Sequence, residues 1–549
     1  MNYYVDGNIT LEDFNFKKED QLYSSVYSSS LDHFKMVELD AQVHQTIVQK
    51  SFKSVASVYN NLHSIFSRFE SIHHFNPWFL EHFRLYFNYR NSQLKIACIS
   101  LFFNEFPEGK VITSNRELKH QFSEKRLLFV KKRKVKFSTY KTAYSEIKKI
   151  LFSKRPLFKD GEVLVFRSKR SSLGKLESSY QLFSSRNILE SASDDINHYD
   201  SDFVLKQYLL SFSWIKDISQ LIQSFRMLVA QLRSVTSESP ESNDIINLFI
   251  SQLSSQYLYY LRLKSFCKFF HKHTIKAIIL NDENSPQMRV IQYAAKQNGV
   301  KVYAYQHGTI HSLHPAYMYG LYNHKPLLAD TTFLWGEYFQ RLLLQQGGYS
   351  MSNLSLSGKI VDSHKHMLST DFPSEKKVVL FATQPQRDPL MRKMQIQDVM
   401  HALKSHSDTY QLVIRPHPNE IDDDYFLQIA NECGYNHLII DRLSDLHSHF
   451  ENCSVMITSF STVGAEFIPY YKPMIVLDYL QQDLIGYIKQ GVGIGVRNRK
   501  ALEEVFSKKM AIDISSYDAF IKDYFYKLDN KAEQRIMDKI SADFISQSD

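Results

Sequence analysis

The stretch Gln411–Asp478 decides the fold; it starts with QLVIRPHPNE and ends with SVMITSFSTVGAEFIPYYKPMIVLD (454–478). It includes two short apolar runs, Leu412–Ile414 and Val455–Ile457, whose composition is typical of buried strands. Each run ends abruptly in residues suited to contact a phosphate, RPHP after the first and TSFST after the second. In an open parallel sheet, ligands bind outside the carboxyl ends of the strands. The sequence therefore predicts a ligand site where these two strands end.

Strands and helices alternate regularly around this stretch, from VVLFAT (378–383) to PMIVLD (473–478). Such alternation is typical of a doubly wound parallel sheet. A second unit of this type begins at IKAIIL (275–280), continues through a helical pattern at Pro286–Gln297 and returns as VKVYAY (300–305). Its length fits a right-handed parallel crossover. We therefore predict an α/β protein with two Rossmann-like, doubly wound domains that face a central cleft.

The predicted domain boundaries follow from changes in composition and periodicity. The first 40 residues are polar and weakly patterned, which predicts irregular structure, whereas Leu39–Ile72 has helical spacing. Leu94–Phe102 is an apolar run of strand length, and Lys110–Thr113 has the pattern of another short strand. The predicted domains are a helical N-terminal extension (1–90), an N-terminal Rossmann-like domain (91–355) with a helical insertion at about 200–272, a C-terminal Rossmann-like domain (356–515), and a C-terminal helix (516–549) that packs back toward the N-terminal domain.

Positive charge is concentrated in one segment. Lys125–Lys159 contains thirteen Lys or Arg residues against one acid, Glu146, so its balance is +12 and the rest of the +8 chain is at −4. A solvated surface is the simplest interpretation of this segment. It lacks an RNA-binding signature and is interleaved with aromatic residues, so among partners an anionic membrane surface is favoured and nucleic acid is not expected.

The cysteines and the N-terminus bear on the compartment. Four cysteines lie far apart without a CxxC pair, which suggests neither a zinc site nor a disulfide framework. MNYYVDGNITLEDF lacks the features of a signal peptide, and no apolar run reaches the roughly 18 residues of a membrane span. We expect a soluble, cytoplasmic protein, with peripheral contact to the inner face of the cell membrane as an option.

The RPHP motif follows a predicted strand directly. Arg415 would supply a fixed positive charge, and His417, oriented by two stiff prolines, would donate to the phosphate of a departing nucleotide. The alternative is a turn that ends a strand and leaves the histidine facing water. A single motif of this kind leaves both interpretations open.

The SFSTVGAE motif joins a strand to a helix start, where free backbone N–H groups favour an anion. Ser459, Ser461 and Thr462 would add hydroxyl donors, and Glu466 would accept from ribose hydroxyls. The alternative is an ordinary N-cap followed by an exposed glutamate. Two further residues, Gln384 and Arg387 after VVLFAT, either reach the donor or belong to a surface loop. RPHP and SFSTVGAE together favour a nucleotide monophosphate or diphosphate site.

Candidates for a general base lie at strand ends of the other sheet. Asp282, Glu283 and His307 each carry a group able to take a proton from an acceptor hydroxyl. The alternatives are a helix N-cap for Asp282 and a structural hydrogen-bonding role for His307.

At these residues the sequence resembles a GT-B glycosyltransferase of bacterial capsule and lipopolysaccharide synthesis, over about residues 275–480. Its landmarks, in order, are DENS (282–285), VYAYQHGTI (302–310), LWGEY (334–338), RPHP (415–418) and SFSTVGAE (459–466). The resemblance implies an acceptor-binding N-terminal domain and a nucleotide-donor C-terminal domain.

RPHP with the later Ser/Thr cluster is similar to motifs of bacterial sialyltransferases and polysialyltransferases, which use CMP-activated nonulosonic acids. That similarity implies that His417 meets the CMP phosphate beside Ser459, Ser461 and Thr462. The acidic motif of those enzymes ends in glycine, whereas this chain has Asp282-Glu283-Asn284. QHGT also resembles the HGT element of CDP-glycerol polyol-phosphate transferases, which implies a catalytic role for His307. Both relatives bind a cytidine nucleotide.

The expected function is metal-independent, inverting transfer of a nonulosonic acid (sialic, pseudaminic, legionaminic or Kdo type) from its CMP form to a hydroxyl group. The acceptor is a bacterial surface glycan, free or lipid-linked. No cofactor or metal is expected, since no DxD motif stands at a strand end. The alternatives are a CDP-glycerol or CDP-ribitol polyol-phosphate transferase, a UDP- or GDP-hexose glycosyltransferase, and a UDP-sugar epimerase. A non-catalytic protein that binds a sugar nucleotide or RNA is an alternative of another class.

Overall fold

A computed structural model describes residues 1–6, 20–24, 35–37, 39–113, 115, 118–119, 121–130, 150, 163–167, 186–190, 200–235, 239–281, 283–360, 376–384, 389–417, 420 and 422–545. The chain forms two compact units, each assembled from three segments. Unit 1 comprises Met1–Gln49, Arg90–Lys134 and His364–Ile521, and unit 2 comprises Lys50–Tyr89, Val135–Ser363 and Lys522–Asp549.

The described residues form these strands: β1 (Asn2–Asp6), β2 (Gln21–Ser24), β3 (Lys35–Met36), β4 (Lys110–Thr113), β5 (Leu127–Phe129), β6 (Val163–Arg167), β7 (Arg186–Glu190), β8 (Ala277–Leu280), β9 (Lys301–Tyr305), β10 (Thr331–Leu334), β11 (Leu354–Leu356), β12 (Lys377–Ala382), β13 (Tyr410–Arg415), β14 (Leu438–Ile440), β15 (Val455–Thr458), β16 (Met474–Leu477) and β17 (Ile494–Val496).

The helices are α1 (Ala41–His73), α2 (Pro77–Glu105), α3 (Asp200–Leu210), α4 (Trp214–Ser234), α5 (Pro240–Gln252), α6 (Gln256–Lys272), α7 (Pro286–Gln297), α8 (Glu337–Leu342), α9 (Pro389–Lys404), α10 (Asp424–Cys433), α11 (Leu446–Asn452), α12 (Thr462–Phe467), α13 (Arg499–Phe506), α14 (Ile514–Phe525) and α15 (Ala532–Ile545). None of these helices is long and apolar enough to cross a membrane, as far as the chain is described.

The larger sheet of unit 1 has the order β14-β13-β12-β15-β16-β17, and all its pairs are parallel. Numbered along the chain, this is the order 3-2-1-4-5-6 of a Rossmann fold. Its apolar strands pack against α9, α10 and α13, with Val399, Phe426 and Leu502 in the same core. The chain reverses direction along the sheet between β12 and β15, which makes that point the expected place for a ligand.

The sheet of unit 2 is also parallel, in the order β11-β10-β9-β8-β6-β7. Along the chain this corresponds to 2-1-3-4-5-6, the flavodoxin-like variant of the doubly wound sheet. Two parallel Rossmann-like sheets, as in GT-B proteins, confirm the predicted fold class. The helices expected between about 200 and 272 are α3 to α6.

A third, smaller sheet was not predicted. It lies in unit 1, has the order β3-β2-β1-β4-β5 and is parallel throughout. The prediction of irregular structure for the first 40 residues is therefore wrong at β1, β2 and β3. The prediction of a strand at Leu94–Phe102 is also wrong, because these residues belong to α2. A short apolar run fits a buried helix as well as a strand, and Cys98, Ile99 and Phe102 are indeed buried under the small sheet.

Local sequence signals position several helix starts. The carboxylate of Asp445 accepts a hydrogen bond from the backbone N–H of His447 at the start of α11. Asn498 caps α13 in the same way through the N–H of Ala501. Such caps satisfy backbone donors that would otherwise lack a partner, and they end the preceding loops at defined residues.

Candidate functional site

The RPHP motif lies at the carboxyl end of β13, and a buried glutamate fixes its backbone. The backbone N–H of His417 donates to Glu420 Oε2 at 3.0 Å and lies 3.1 Å from Thr383 Oγ1. The Thr383 hydroxyl donates to the same carboxylate oxygen. Arg392 Nε lies 2.7 Å from Glu420 Oε1, and the glutamate side chain is only 2% exposed. These contacts hold the half-buried imidazole of His417 at the end of the strand.

Arg415 is directed along the sheet edge toward β14. Its Nη1 donates to the backbone oxygen of Asp441 at 3.1 Å and lies 3.9 Å from the carboxylate of that residue. Burial lowers the pKa of Arg415. Burial raises the pKa of Asp441, but the hydrogen bonds from Ser444 outweigh this effect and hold it below its usual value. The guanidinium therefore already has an anionic partner, Asp441, directly after the end of the neighbouring strand β14.

The hydroxyls of the SFSTVGAE motif make internal contacts. Ser461 Oγ accepts from the N–H of Val463, so Ser461 is the N-cap of α12. Ser459 Oγ donates to Gln395 Oε1 at 3.3 Å. Both serines are buried, whereas Thr462 and Glu466 are partly exposed. The cap anticipated as the alternative function of Ser461 is thus present in the structure.

A pocket opens at the carboxyl ends of β15 and β16. It holds about 440 Å³ of space, part of which is open to solvent. The pocket is lined by the start of α9, by Ser459 and Phe460, and by the loop Asp478–Tyr487, which we call the pocket loop. Gln384 Oε1 accepts from the N–H of Phe460 at 3.2 Å, which links the end of β12 to the end of β15 across the Rossmann switch point.

The pocket loop has an unusual backbone. Gln481 and Asp483 both have positive φ, at 51° and 38°. Residues other than glycine pay roughly 1–3 kcal/mol for such conformations, which persist where the surroundings impose them and are concentrated at functional sites. The start of α1 supplies part of that support, because His44 Nδ1 lies 2.6 Å from Gln482 Nε2 and Gln45 donates to the backbone oxygen of Gln481.

Asp478 presents a half-buried carboxylate to this pocket. Its Oδ1 accepts from the N–H of Gln482 at 2.8 Å and from that of Asp483 at 3.2 Å. Burial raises the pKa of Asp478, and these two hydrogen bonds partly offset the effect. A carboxylate accepts hydrogen bonds and repels phosphate, so this wall suits hydroxyl or amino groups of a ligand.

In unit 2, Glu283 belongs to the core. It is 2% exposed, and its oxygens accept hydrogen bonds from Ala329 N at 3.1 Å, Thr332 Oγ1 at 2.9 Å and Tyr349 OH at 3.1 Å. Burial raises the pKa of this carboxyl group. The three donors come from residues 46 to 66 positions later, so Glu283 ties β8 to the segments around β10 and β11. In this environment the carboxyl group of Glu283 has a structural role and no access to a substrate.

His307 is exposed and lies two residues after the end of β9. The preceding Gln306 is fully buried: its Oε1 accepts from the N–H of Trp335, and its Nε2 donates to the oxygen of Gly308. Two further histidines follow, and the rings of His311 and His314 lie 5.4 Å apart. Burial, followed by the charges of His311 and His307, lowers the pKa of His314 to about 3. The turn after β9 therefore gathers three imidazoles, with His307 at its surface.

The predicted residues thus form two groups. Within unit 1, the ends of β12, β13 and β15 bring Gln384, His417 and Ser459 to one edge of the sheet. Glu283 and His307 belong to unit 2, and Asp282 and Arg387 lie outside the described residues. Much of Lys125–Lys159 also lies outside them. The described residues contain no group of three or more His, Cys, Asp or Glu arranged to hold a metal ion.

Sequence reasoning missed several residues of this edge: Thr383, Gln395, Glu420 and Asp478. A signal existed for Thr383 and Asp478, because each is the last residue of a predicted strand of the sheet. Gln395 lies within a helix, and Glu420 follows the RPHP motif without a pattern of its own. Only the three-dimensional contacts identify them.

No protein-family model matches the chain, and no curated protein matches it. Among solved structures, a putative UDP-N-acetylglucosamine 2-epimerase from Listeria monocytogenes is 13% identical, with a TM-score of 0.44, over 71% of this chain and 97% of its own. UDP-GlcNAc 2-epimerase from Neisseria meningitidis, bound to UDP-GlcNAc, is 12% identical, with a TM-score of 0.43, over 69% of this chain and 99% of its own. The wall teichoic acid polymerase TagF is 13% identical, with a TM-score of 0.42, over 75% of this chain and 100% of its own.

Proposed function

We propose that this protein is a transferase that uses a nucleotide-activated donor, most simply a cytidine nucleotide, and passes the donor's group to a hydroxyl of a glycan. The observation that carries the proposal is the pocket beside the β12/β15 switch point of a sheet with the order 3-2-1-4-5-6. Nucleotides bind at this position in doubly wound sheets. The pocket combines an apolar wall with a few buried polar groups, as small-molecule sites do.

In this proposal His417 donates to the leaving phosphate. It stands at the end of β13, two strands from β15, which corresponds to roughly 10 Å along the sheet edge. Asp478 and the pocket loop would receive the hydroxyl or amino groups of the nucleoside, and Thr462 and Glu466 keep the donor-contacting roles inferred from sequence. Ser459 and Ser461 support the site through their contacts with Gln395 and Val463.

Two donors fit a cytidine site, and both release CMP. With a CMP-nonulosonic acid, the bond from the anomeric carbon to the phosphate oxygen breaks and the sugar is transferred. With a CDP-polyol, the acceptor oxygen attacks the distal phosphorus, the bond from that phosphorus to the bridging oxygen breaks so that CMP leaves, and the polyol phosphate is transferred. The second reaction is favoured by one observation: Glu283 is buried and hydrogen-bonded, whereas His307, from the HGT-like element, is exposed and able to take the acceptor proton.

The proposal is tested by the nucleotide that the protein binds and releases. A ligand at 100 times its dissociation constant adds roughly 2.7 kcal/mol to the free energy of unfolding, so CMP or CDP should raise the melting temperature more than UDP or GDP. Release of CMP from a CMP-nonulosonate or a CDP-polyol, with the mass of the product, then identifies the transferred group. Stabilisation by UDP alone, with no CMP release, would replace this proposal with a UDP-sugar enzyme. Stabilisation with no turnover on any acceptor would indicate a binding protein.

Replacing His417 tests its role directly. His417→Ala is expected to lower kcat about 100- to 1,000-fold, the usual effect of removing one donor to a developing charge, while the melting temperature stays near that of the wild type. The matched control is His437→Ala. His437 is an exposed histidine of the same sheet, but it precedes β14 and so lies at the amino end of its strands. Equal turnover of the two variants would remove His417 from the mechanism.

A further inference from the structure

The corner between α3 and α4 exposes three large apolar side chains within six residues. Leu210 is 67% exposed, Phe212 70% and Ile215 55%. Single exposed apolar residues are ordinary on protein surfaces, whereas a contiguous group marks a contact with another apolar phase. Beneath them, Trp214 is only partly exposed, and its indole N–H donates to the backbone oxygen of Leu209 at 3.0 Å.

The backbone of this corner directs the apolar tips outward. Phe212 has a φ of 55°, in the left-handed region, which is costly for a bulky residue. The turn is nevertheless well bonded: Phe212 N donates to Leu209 O, and Ile215 N donates to Phe212 O, each at 3.2 Å. The surrounding structure therefore holds Phe212 in an unfavourable backbone conformation that leaves its aromatic ring in solvent.

Lysines surround the base of the corner. Lys268 Nζ donates to Ser213 Oγ at 2.6 Å and lies 4.8 Å from the ring of Tyr208. Lys264 and Lys272 are one helical turn before and after Lys268 and share its face of α6. Lys216 is exposed beside Ile215. The nearest acid in sequence, Asp217, accepts a hydrogen bond from Tyr208, and its single negative charge offsets only one of these four lysines.

We propose that the α3–α4 corner is an anchor that inserts Leu210, Phe212 and Ile215 into an anionic phospholipid bilayer. The groups of the corner follow the order of the layers in a membrane. The apolar side chains at its tip would enter the acyl region, and the lysines at its base would lie at the depth of the lipid phosphates. Nucleic acid would match the lysines but would leave the aliphatic tips in water. This inference is independent of the proposed donor chemistry and rests on α3, α4 and α6. Ile150, from Lys125–Lys159, packs in the same apolar cluster as Tyr208 and Trp214 beneath the corner.

Binding of the full-length protein to vesicles tests the anchor. Wild-type protein should co-sediment with vesicles of phosphatidylcholine and phosphatidylglycerol, bind pure phosphatidylcholine weakly, and bind less as salt is raised. The triple variant Leu210→Ser/Phe212→Ser/Ile215→Ser should partition at least tenfold more weakly, since affinity scales with the apolar area that is buried. Lys268→Gln should weaken binding about fivefold, the effect of one lysine near an anionic surface.

A matched control is the double variant Leu344→Ser/Met351→Ser, which removes exposed apolar side chains elsewhere in unit 2 and should bind as the wild type does. Circular dichroism and the melting temperature verify that each variant is folded. Phe212→Trp keeps the apolar corner, and its added indole emission should shift to the blue on vesicles with phosphatidylglycerol.

Three outcomes overturn the proposal. The first is unchanged binding of the folded triple variant, which would assign any membrane contact to residues other than these three apolar side chains. The second is vesicle binding by Phe212→Trp without a blue shift. The third is a protein that ignores vesicles and forms a dimer that the triple variant dissociates, because the corner would then be an interface between two copies of the chain.

Discussion

Glu420 shows how one side chain can position a candidate catalytic residue without touching a ligand. Its carboxylate receives the N–H of His417 and the hydroxyl of Thr383 on one oxygen and faces Arg392 on the other. Arg392 in turn lies over the ring of Tyr425, 4.1 Å from its centroid. A buried charge is tolerated only where partners of this kind compensate for its lost hydration. The backbone at His417 therefore depends on an ion pair to a helix that the motif itself does not include.

Neutralising this group should be costly. Glu420→Gln places an amide N–H₂ where two donors now converge or beside a guanidinium, so we expect the free energy of unfolding to fall by about 3 kcal/mol. Chemical denaturation measures the loss. The control is Glu432→Gln, which breaks the ion pair between Lys393 of α9 and Glu432 of α10. That pair is 3.1 Å long and partly exposed, and its loss should cost at most about 1 kcal/mol. Equal losses of unfolding free energy in the two variants would contradict the explanation that burial makes the Glu420 contacts stronger than an exposed ion pair.

Individual site residues could be predicted from the sequence only where they lie at the end of a recognisable strand. His417, Ser459 and Gln384 follow apolar runs, and the rule that ligands bind at carboxyl ends was enough to group them. The roles of Ser459 and Glu283 were not predictable. Their partners, Gln395 and Thr332, are 64 and 49 residues away, and no local pattern reveals that a polar side chain will be buried.

At the scale of elements, the start of α8 shows why a glycine stands in LWGEY. A Cβ on Gly336 would overlap the backbone of Asp523 and Tyr524 at the end of α14. Nearby, the rings of Tyr338 and Tyr524 stack 4.5 Å apart, and Arg341 pairs with both oxygens of Asp523 at 2.7 Å. The last segment of unit 2 is therefore bound by close backbone contact, which only the absence of a side chain permits.

Adding one methyl group here should loosen this contact. Gly336→Ala must displace backbone, so a loss of about 2 kcal/mol is expected, together with faster proteolysis of residues 522–545. Hydrogen exchange and limited proteolysis report the change. Arg341→Ala removes a half-exposed ion pair at the same junction and should cost less than about 1 kcal/mol. A larger effect from Arg341→Ala than from Gly336→Ala would refute the close-packing explanation.

Elements were predicted well where strands are apolar and long, and poorly in the small sheet. β12, β13, β15 and β16 read as strands because buried parallel strands are almost wholly apolar. β1 has the mixed sequence NYYVD, and its neighbour β4 comes about a hundred residues later, after two long helices. Its strand conformation comes from this distant pairing, which local periodicity cannot detect.

At the scale of the molecule, buried histidines make stability depend on pH. His82 is 3% exposed, and burial, followed by the charge of Arg289, lowers its pKa from 6.5 to about 3. The unfolded chain therefore binds a proton that the folded chain refuses, and stability is lost as the pH falls from about 6.5 toward 3. Above about pH 6.5, His82 is neutral in both the folded and the unfolded chain, and it causes no loss of stability.

The variant His82→Leu isolates this effect. Between pH 7.5 and pH 4.5, the free energy of unfolding of this variant should fall less than that of the wild type, by on the order of 2 kcal/mol. The reason is that leucine does not bind a proton when the chain unfolds. Denaturation curves at both pH values measure the difference. The exposed His271 provides the control, and His271→Leu should leave the pH dependence as it is in the wild type. An identical pH dependence for His82→Leu and the wild type would show that His82 becomes protonated in the folded state.

The discontinuous make-up of unit 1 has a consequence for how the chain is made on the ribosome. Lys134 and His364, which bound the gap before the last segment of unit 1, are separated by about 230 residues, which take roughly 10–50 s to translate. The small sheet need not wait for them, because its core, with Tyr4, Cys98 and Val111, comes entirely from the first 130 residues. It can close while the six-stranded sheet of the same unit is still unsynthesised. Protein synthesis thus gives unit 1 an early-folding part and a late-folding part.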